Sequence, residues 1–144
     1  QIYGEFDCFL SLPPTAPLRC PADIERCLDA LRTNVDVVVT MTAAHRSPWF
    51  NMALVNTEGN LSLAACNDKK NIHRRQDAPV CFDLTTIAYV ARPEFVLSNA
   101  AMWDGVVTGV EIPNERAIDI DTPMDFAIAR YLIEEWLPSE AGQL

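Results

Sequence analysis

The stretch Pro21-Ala-Asp-Ile-Glu-Arg-Cys-Leu-Asp-Ala-Leu31, followed closely by Asp36-Val-Val-Val-Thr-Met41, decides the fold. In its first part Ile24, Cys27, Leu28 and Leu31 recur at helical spacing behind an early proline and an acidic first turn, which predicts an amphipathic helix. The run Val37-Val38-Val39 is β-branched throughout, the pattern of a strand buried on both faces. Upstream, the apolar run Asp7 to Leu12 must stop at Pro13-Pro14, because proline cannot donate to a central ladder. Strand, helix and strand in that order make a βαβ unit and predict an α/β domain, Rossmann-like, with a mostly parallel sheet.

Working outward, Trp49 to Ala65 breaks this pattern. Two apolar stretches flank Asn56-Thr57-Glu58-Gly59-Asn60, whose Asn and Gly residues predict a hairpin and hence an antiparallel excursion. Asn67 to Gln76 is polar and reads as a loop. Thr85 to Val90 and Gly105 to Ile112 are rich in β-branched residues and read as strands, with a short helix at Pro93 to Ser98 between them. The last element starts at Thr122-Pro-Met-Asp125, where Thr is the N-cap, Pro takes the first helical position and Asp125 closes a capping box; it runs to about Trp136.

The 144 residues suit one domain, 1–144, with enough chain to bury a core. No stretch approaches the roughly 20 apolar residues of a membrane span, so no membrane partner is expected. Acidic residues outnumber basic ones by 20 to 11, which argues against a general nucleic-acid surface and requires any bound anion to be held locally. The five cysteines, Cys8, Cys20, Cys27, Cys66 and Cys81, show no Cys-x-x-Cys spacing and read as reduced thiols of a cytoplasmic protein.

Three segments could carry chemistry. Ile118-Asp119-Ile120-Asp121 alternates apolar and acidic, so on one extended strand both carboxylates would face the same way, about 7 Å apart at the backbone. A hard divalent cation such as Mg²⁺ relieves the repulsion of such a pair. The same acids would equally serve as solvated groups or as caps of the helix that follows. Next, three prolines within Pro13 to Pro17 stiffen the loop after the first strand and present Thr15 and Arg19 at the carboxyl edge, where ligands of open α/β sheets collect. Last, Lys69-Lys-Asn-Ile-His-Arg-Arg75 gathers four of the eleven Lys and Arg residues and is suited to a carboxylate or phosphate, or is simply a solvated loop. His45 and His73 have no metal-ligand spacing.

In this order the segments Pro14-Thr-Ala-Pro-Leu-Arg19, Arg74-Arg-Gln-Asp-Ala-Pro79 and Ile118-Asp-Ile-Asp121, the last leading into a helix with Asp125-Phe126, resemble the acylneuraminate cytidylyltransferases, which make CMP-activated nonulosonic acids. Ala44-His-Arg-Ser-Pro-Trp-Phe-Asn-Met52 and Asp83-Leu-Thr-Thr-Ile-Ala-Tyr89 look more like the branch that handles legionaminate-type sugars. The resemblance implies a fold of nucleotide-sugar transferase type. It also implies transfer of a cytidylyl group from CTP to a sialic- or legionaminic-type acid with release of pyrophosphate. Asp119 and Asp121 would be the catalytic Mg²⁺ ligands, Arg75 would lie near the sugar acid, and Thr15, Arg19, Arg74 and Gln76 would contribute to substrate binding. Residues 49–76 would form a dimerisation insertion of an interleaved homodimer.

Two departures qualify the resemblance. Pro13 stands where the sialate enzymes place Gln, and Thr85-Thr86 where they place Asn-Gly, so the usual sugar contacts do not carry over. A Gly- and Lys-containing loop for the CTP phosphates is also missing ahead of Gln1, which implies an N-terminally truncated member with little or no activity alone. Two other readings accompany this one: a non-catalytic, dimerising sugar-binding remnant, and a fragment of a nucleotide-sugar glycosyltransferase with an Asp-x-Asp metal site.

Overall fold

The computed structural model describes residues 5–65, 72 and 74–136. The chain separates into two compact units, one made of residues 1–42 and 84–144 and the other of 43–83.

The first unit is built on a four-stranded sheet. Its strands are β1 (Phe9–Ser11), β2 (Val37–Ala43), β5 (Phe82–Ala91) and β6 (Val107–Glu111), in the order β1-β5-β2-β6. β2 and β6 are parallel, with Val37 opposite Val107 and Met41 opposite Glu111. β5 runs against β1, with Phe9 opposite Ala91 and Ser11 opposite Tyr89. It also runs against β2, since the Arg92 N–H past its end donates to the Asp36 carbonyl before the start of β2, at 3.0 Å. Three of the four strands therefore point the same way and β5 is the reversed one. Every predicted strand and helix outside the site segments forms, with ends shifted by a few residues.

The valine run divides between the two faces, as the period of two requires. Val38 joins Ile87, Val90, Val110 and Ile112 in a cluster with Cys27 of α1 (Pro21–Ala30), while Val37 and Val39 pack with Phe95 of α2 (Pro93–Ser98) and Met102. One buried polar group is satisfied inside this core. The Thr40 hydroxyl lies 3.1 Å from the Thr85 carbonyl and accepts from the Ala88 N–H at 3.3 Å. The last helix, α3 (Pro123–Tyr131), opens on the expected capping box and continues as a wider π-helical turn over Leu132–Trp136.

The second unit carries the predicted hairpin, β3 (Ala53–Val55) against β4 (Leu61–Leu63), with Val55 opposite Leu61. Asn56 makes the turn, its side-chain oxygen accepting from the N–H groups of Glu58 and Asn60 at 3.0 and 2.9 Å. Gly59 takes φ of 86°, a backbone state that L side chains rarely adopt. Both strands are exposed along their whole length: Leu54, Val55 and Leu61 keep 59%, 67% and 70% of their surface.

Candidate functional site

The loop from Pro13 to Arg19 starts where β1 ends, because two successive prolines remove the donors a strand needs. Ala16 and Leu18 are buried and anchor it. The Arg19 side chain is turned back on the loop, its Nε donating to the Ala16 carbonyl at 3.0 Å and its Nη2 to the Pro13 carbonyl. Arg19 thus braces the loop, a role the sequence did not suggest.

Asp119 and Asp121 are expected on a strand, and here the structure differs. Pro113 follows the last ladder bond, from the Ile112 N–H to the Met41 carbonyl at 2.7 Å, and a 3-10 turn at Asn114–Arg116 then redirects the chain. The two aspartates lie in the irregular segment between that turn and α3. The segment is tied to the first loop by the Ile120 N–H, which donates to the Thr15 carbonyl at 2.9 Å. The structure therefore brings Thr15 and the aspartates together without a sheet.

Asp119 is half-buried, and its Oδ1 is shut off from solvent with no hydrogen-bond partner. An orphaned carboxylate oxygen is costly to leave unpaired, and a hard cation satisfies it well. Asp121 is exposed. Among the described residues no group of three or more His, Cys, Asp or Glu side chains converges, so a cation here would have at most two carboxylates and would take its other ligands from water or substrate. The site fits Mg²⁺ on those terms. Asp125 is occupied elsewhere: it accepts from the Thr122 hydroxyl at 2.7 Å and the Thr122 N–H at 2.8 Å, and these bonds hold its carboxyl below the usual range.

In the same unit the buried Thr85 and Thr86 hydroxyl oxygens have no partner. Since Ser11 lies opposite Tyr89, these threonines fall on β5 beyond the carboxyl end of β1, the end from which the Pro13–Arg19 loop departs.

The second unit contains Arg74, Arg75 and Gln76. Arg75–Asp77 is a 3-10 turn with Arg74 at its N-cap, and the Arg75 Nη2 donates to the Ala44 carbonyl at 3.2 Å. The turn borders a cavity of about 450 Å³ whose lining includes Arg46, Ser47, Arg75, Gln76 and Cys81. Arg46 was not among the expected binding residues; the Ala44-His-Arg-Ser-Pro motif held the signal. Lys69, Lys70, His73 and Cys66 lie outside the described residues. Cys8, Cys20, Cys27 and Cys81 are free thiols, and burial, with Asp23 nearby, pushes that of Cys27 up to about 11.

Sequence reasoning also missed an ion pair. Arg116 Nη2 meets Asp23 Oδ1 at 2.7 Å and its Nε meets Oδ2 at 3.1 Å, across 93 residues of chain. Burial raises the Asp23 carboxyl, but the bonds from Arg116 and Cys20 outweigh it and the net shift is downward. No residue-level pattern links two such distant positions.

Among the described residues no helix is long and apolar enough to cross a membrane. No family model matches the chain. It is 33% identical over 133 residues to post-translational flagellin modification protein B of Campylobacter coli, covering 91% of this chain and 54% of that protein. Against CMP-N,N'-diacetyllegionaminic acid synthase of Campylobacter jejuni it is 33% identical over 97 residues, covering 67% of this chain and 39% of that one. The enzyme of the same name from Legionella pneumophila is 25% identical over 130 residues, 90% of this chain and 55% of its own. The chain thus spans about half the length of these curated relatives, or less. In fold it is similar to 4-diphosphocytidyl-2C-methyl-D-erythritol synthase from Anaerococcus prevotii, with a TM-score of 0.58 at 14% identity over 90% of this chain and 59% of that one. Over the part that it spans, the chain belongs to the CMP-nonulosonic acid cytidylyltransferase family.

Proposed function

We propose that this chain forms the metal-binding and sugar-acid-binding part of an enzyme that moves a cytidylyl group from CTP to the anomeric hydroxyl of a nonulosonic acid of legionaminic type. In that transfer the sugar oxygen bonds to the α-phosphorus, the bond from that phosphorus to the bridging oxygen breaks, pyrophosphate leaves, and the hydroxyl proton passes to solvent. The observation that carries the reading is the buried, unpartnered Asp119 Oδ1 in a segment bound to the Thr15 loop. When bound, Mg²⁺ would neutralise phosphate charge and orient the attacking hydroxyl.

This chain's own groups would do the rest. Asp119 and Asp121 would hold the ion, and Thr15 would keep the Asp119 segment in place through its carbonyl. Arg75, Gln76 and Arg46 carry donors suited to a sugar carboxylate at the cavity of the second unit, with Arg75 supplying the planar fork that matches such a group and Arg74 next to it in the chain. Arg19 braces its loop and is not assigned to substrate.

We also assign residues 49–76 to dimerisation, with a second copy of the chain as partner. The support is the exposed apolar hairpin, since a two-stranded hairpin is marginal alone and exposed apolar patches mark contact sites.

The activity is tested with CTP, Mg²⁺ and nonulosonic acids, using the chain alone and the chain supplemented with the remaining part of a relative. Pyrophosphate release that disappears in Asp119→Asn is the expected outcome. No release in either setting overturns the assignment.

A further inference from the structure

The turn Asn114–Arg116 holds none of the residues assigned to metal or substrate, yet it is gripped from two directions. On one side Arg116 forks onto Asp23, which is fully buried in the first turn of α1 and also accepts from the Cys20 N–H at 3.3 Å and the Cys20 thiol at 3.2 Å. On the other, the Thr42 hydroxyl, at the end of β2, donates to the Asn114 side-chain oxygen at 2.7 Å. Asp119 comes three residues after Arg116, and the Ile120 N–H is then fixed by Thr15.

A segment outside any ladder lacks the regular backbone pairing that holds a strand straight, so a carboxylate on it would ordinarily be ordered only when a ligand arrives. That ordering weakens binding. A buried ion pair is a poor source of net stability, and an apolar pair of like volume serves stability as well or better. What the bidentate Arg–carboxylate fork supplies is a fixed direction and distance. Here it fixes the chain just upstream of a carboxylate oxygen that is buried and unfilled.

We infer that Asp23 and Arg116 are positioning residues for Asp119, holding its carboxylate preformed for a divalent cation and thereby setting the affinity of that site. The inference rests on the reading of Asp119 as a metal ligand.

Mn²⁺ alone serves as the probe, its free concentration read by electron paramagnetic resonance, on the chain and its variants, with folding followed by near-ultraviolet circular dichroism. Wild type should bind Mn²⁺ and Asp119→Asn should not. Arg116→Lys keeps the charge but loses the fork, and should weaken binding by about 10-fold, the low end for residues that orient a metal ligand, because Arg116 acts on Asp119 through the chain between them. Val37→Ala, which thins the separate cluster with Phe95 and Met102, should lower Tm at least as far while leaving Mn²⁺ affinity at the wild-type value. If Arg116→Lys does not fold, Thr42→Val removes the other grip on the turn and should weaken binding in its place. A folded Arg116→Lys that binds like wild type overturns the inference, as does Val37→Ala weakening binding equally, or unchanged binding in Thr42→Val where that variant is used. Absence of any Asp119-dependent binding in wild type instead removes the metal reading itself, and the inference with it.

Discussion

The sheet unit and the excursion unit dispose of their apolar residues in opposite ways. In the first, Val37, Val38 and Val39 are all buried, packed on one side with α1 and on the other with Phe95 of α2 and Met102. In the second, β3 and β4 leave every residue exposed. An apolar strand is core in β2 and surface in β3 and β4. Composition alone does not separate them; the difference lies in whether a helix packs over the strand, as α1 and α2 do over β2.

The contrast can be broken most directly at Ile87, fully buried at the centre of the sheet. Ile87→Ala should cost about 2–5 kcal/mol in urea unfolding, as core truncations do. Asp23→Ala should cost about 3 kcal/mol by the same measurement, the low end for breaking a buried pair because Arg116 keeps contact with solvent. The pH dependence follows in sign. The Asp23 carboxyl titrates lower when folded than its ordinary value near about 3.9, so its contribution is complete above that pH. It is lost as pH falls through the lower folded value, and a Tm series across acid pH should be flatter in Asp23→Ala. Thr122→Ala removes the cap of α3 and should cost about 1 kcal/mol. Leu61→Ser in the hairpin should change unfolding of the chain by less than about 0.5 kcal/mol, the range for exposed positions. Its effect should fall on sedimentation velocity, where the proposed dimer should give way to monomer. A large stability loss from Leu61→Ser would erase the contrast between the units.

Most of the architecture was legible because it follows from local rules. Helical spacing from Ile24 to Leu31, the β-branched run at Val37, and the cap from Thr122 to Asp125 each report what the backbone nearby will do. The direction of β5 was not legible, since strand propensity at Thr85 to Val90 is the same whichever way the chain runs. The placing of Asp119 and Asp121 on a strand failed for a related reason. Alternation describes side chains that would share a face if the segment paired, and Pro113 with the turn after it removes the segment from the ladder. The Asp23–Arg116 pair was hidden by distance along the chain. At the candidate site, Arg19 as a brace and Arg46 at the cavity needed coordinates.

The cysteines acquire a practical meaning from where they sit. Cys27, sealed in the core with its thiol pushed up to about 11, is protonated at neutral pH and closed to alkylating reagents. Cys81 borders the cavity beside Arg75 and is only half-buried. One chain therefore carries both a silent sulfur and a sulfur at the rim of the proposed sugar-acid pocket. Protection of Cys81 from alkylation, read peptide by peptide, turns occupancy of that pocket into a chemical footprint that requires no turnover.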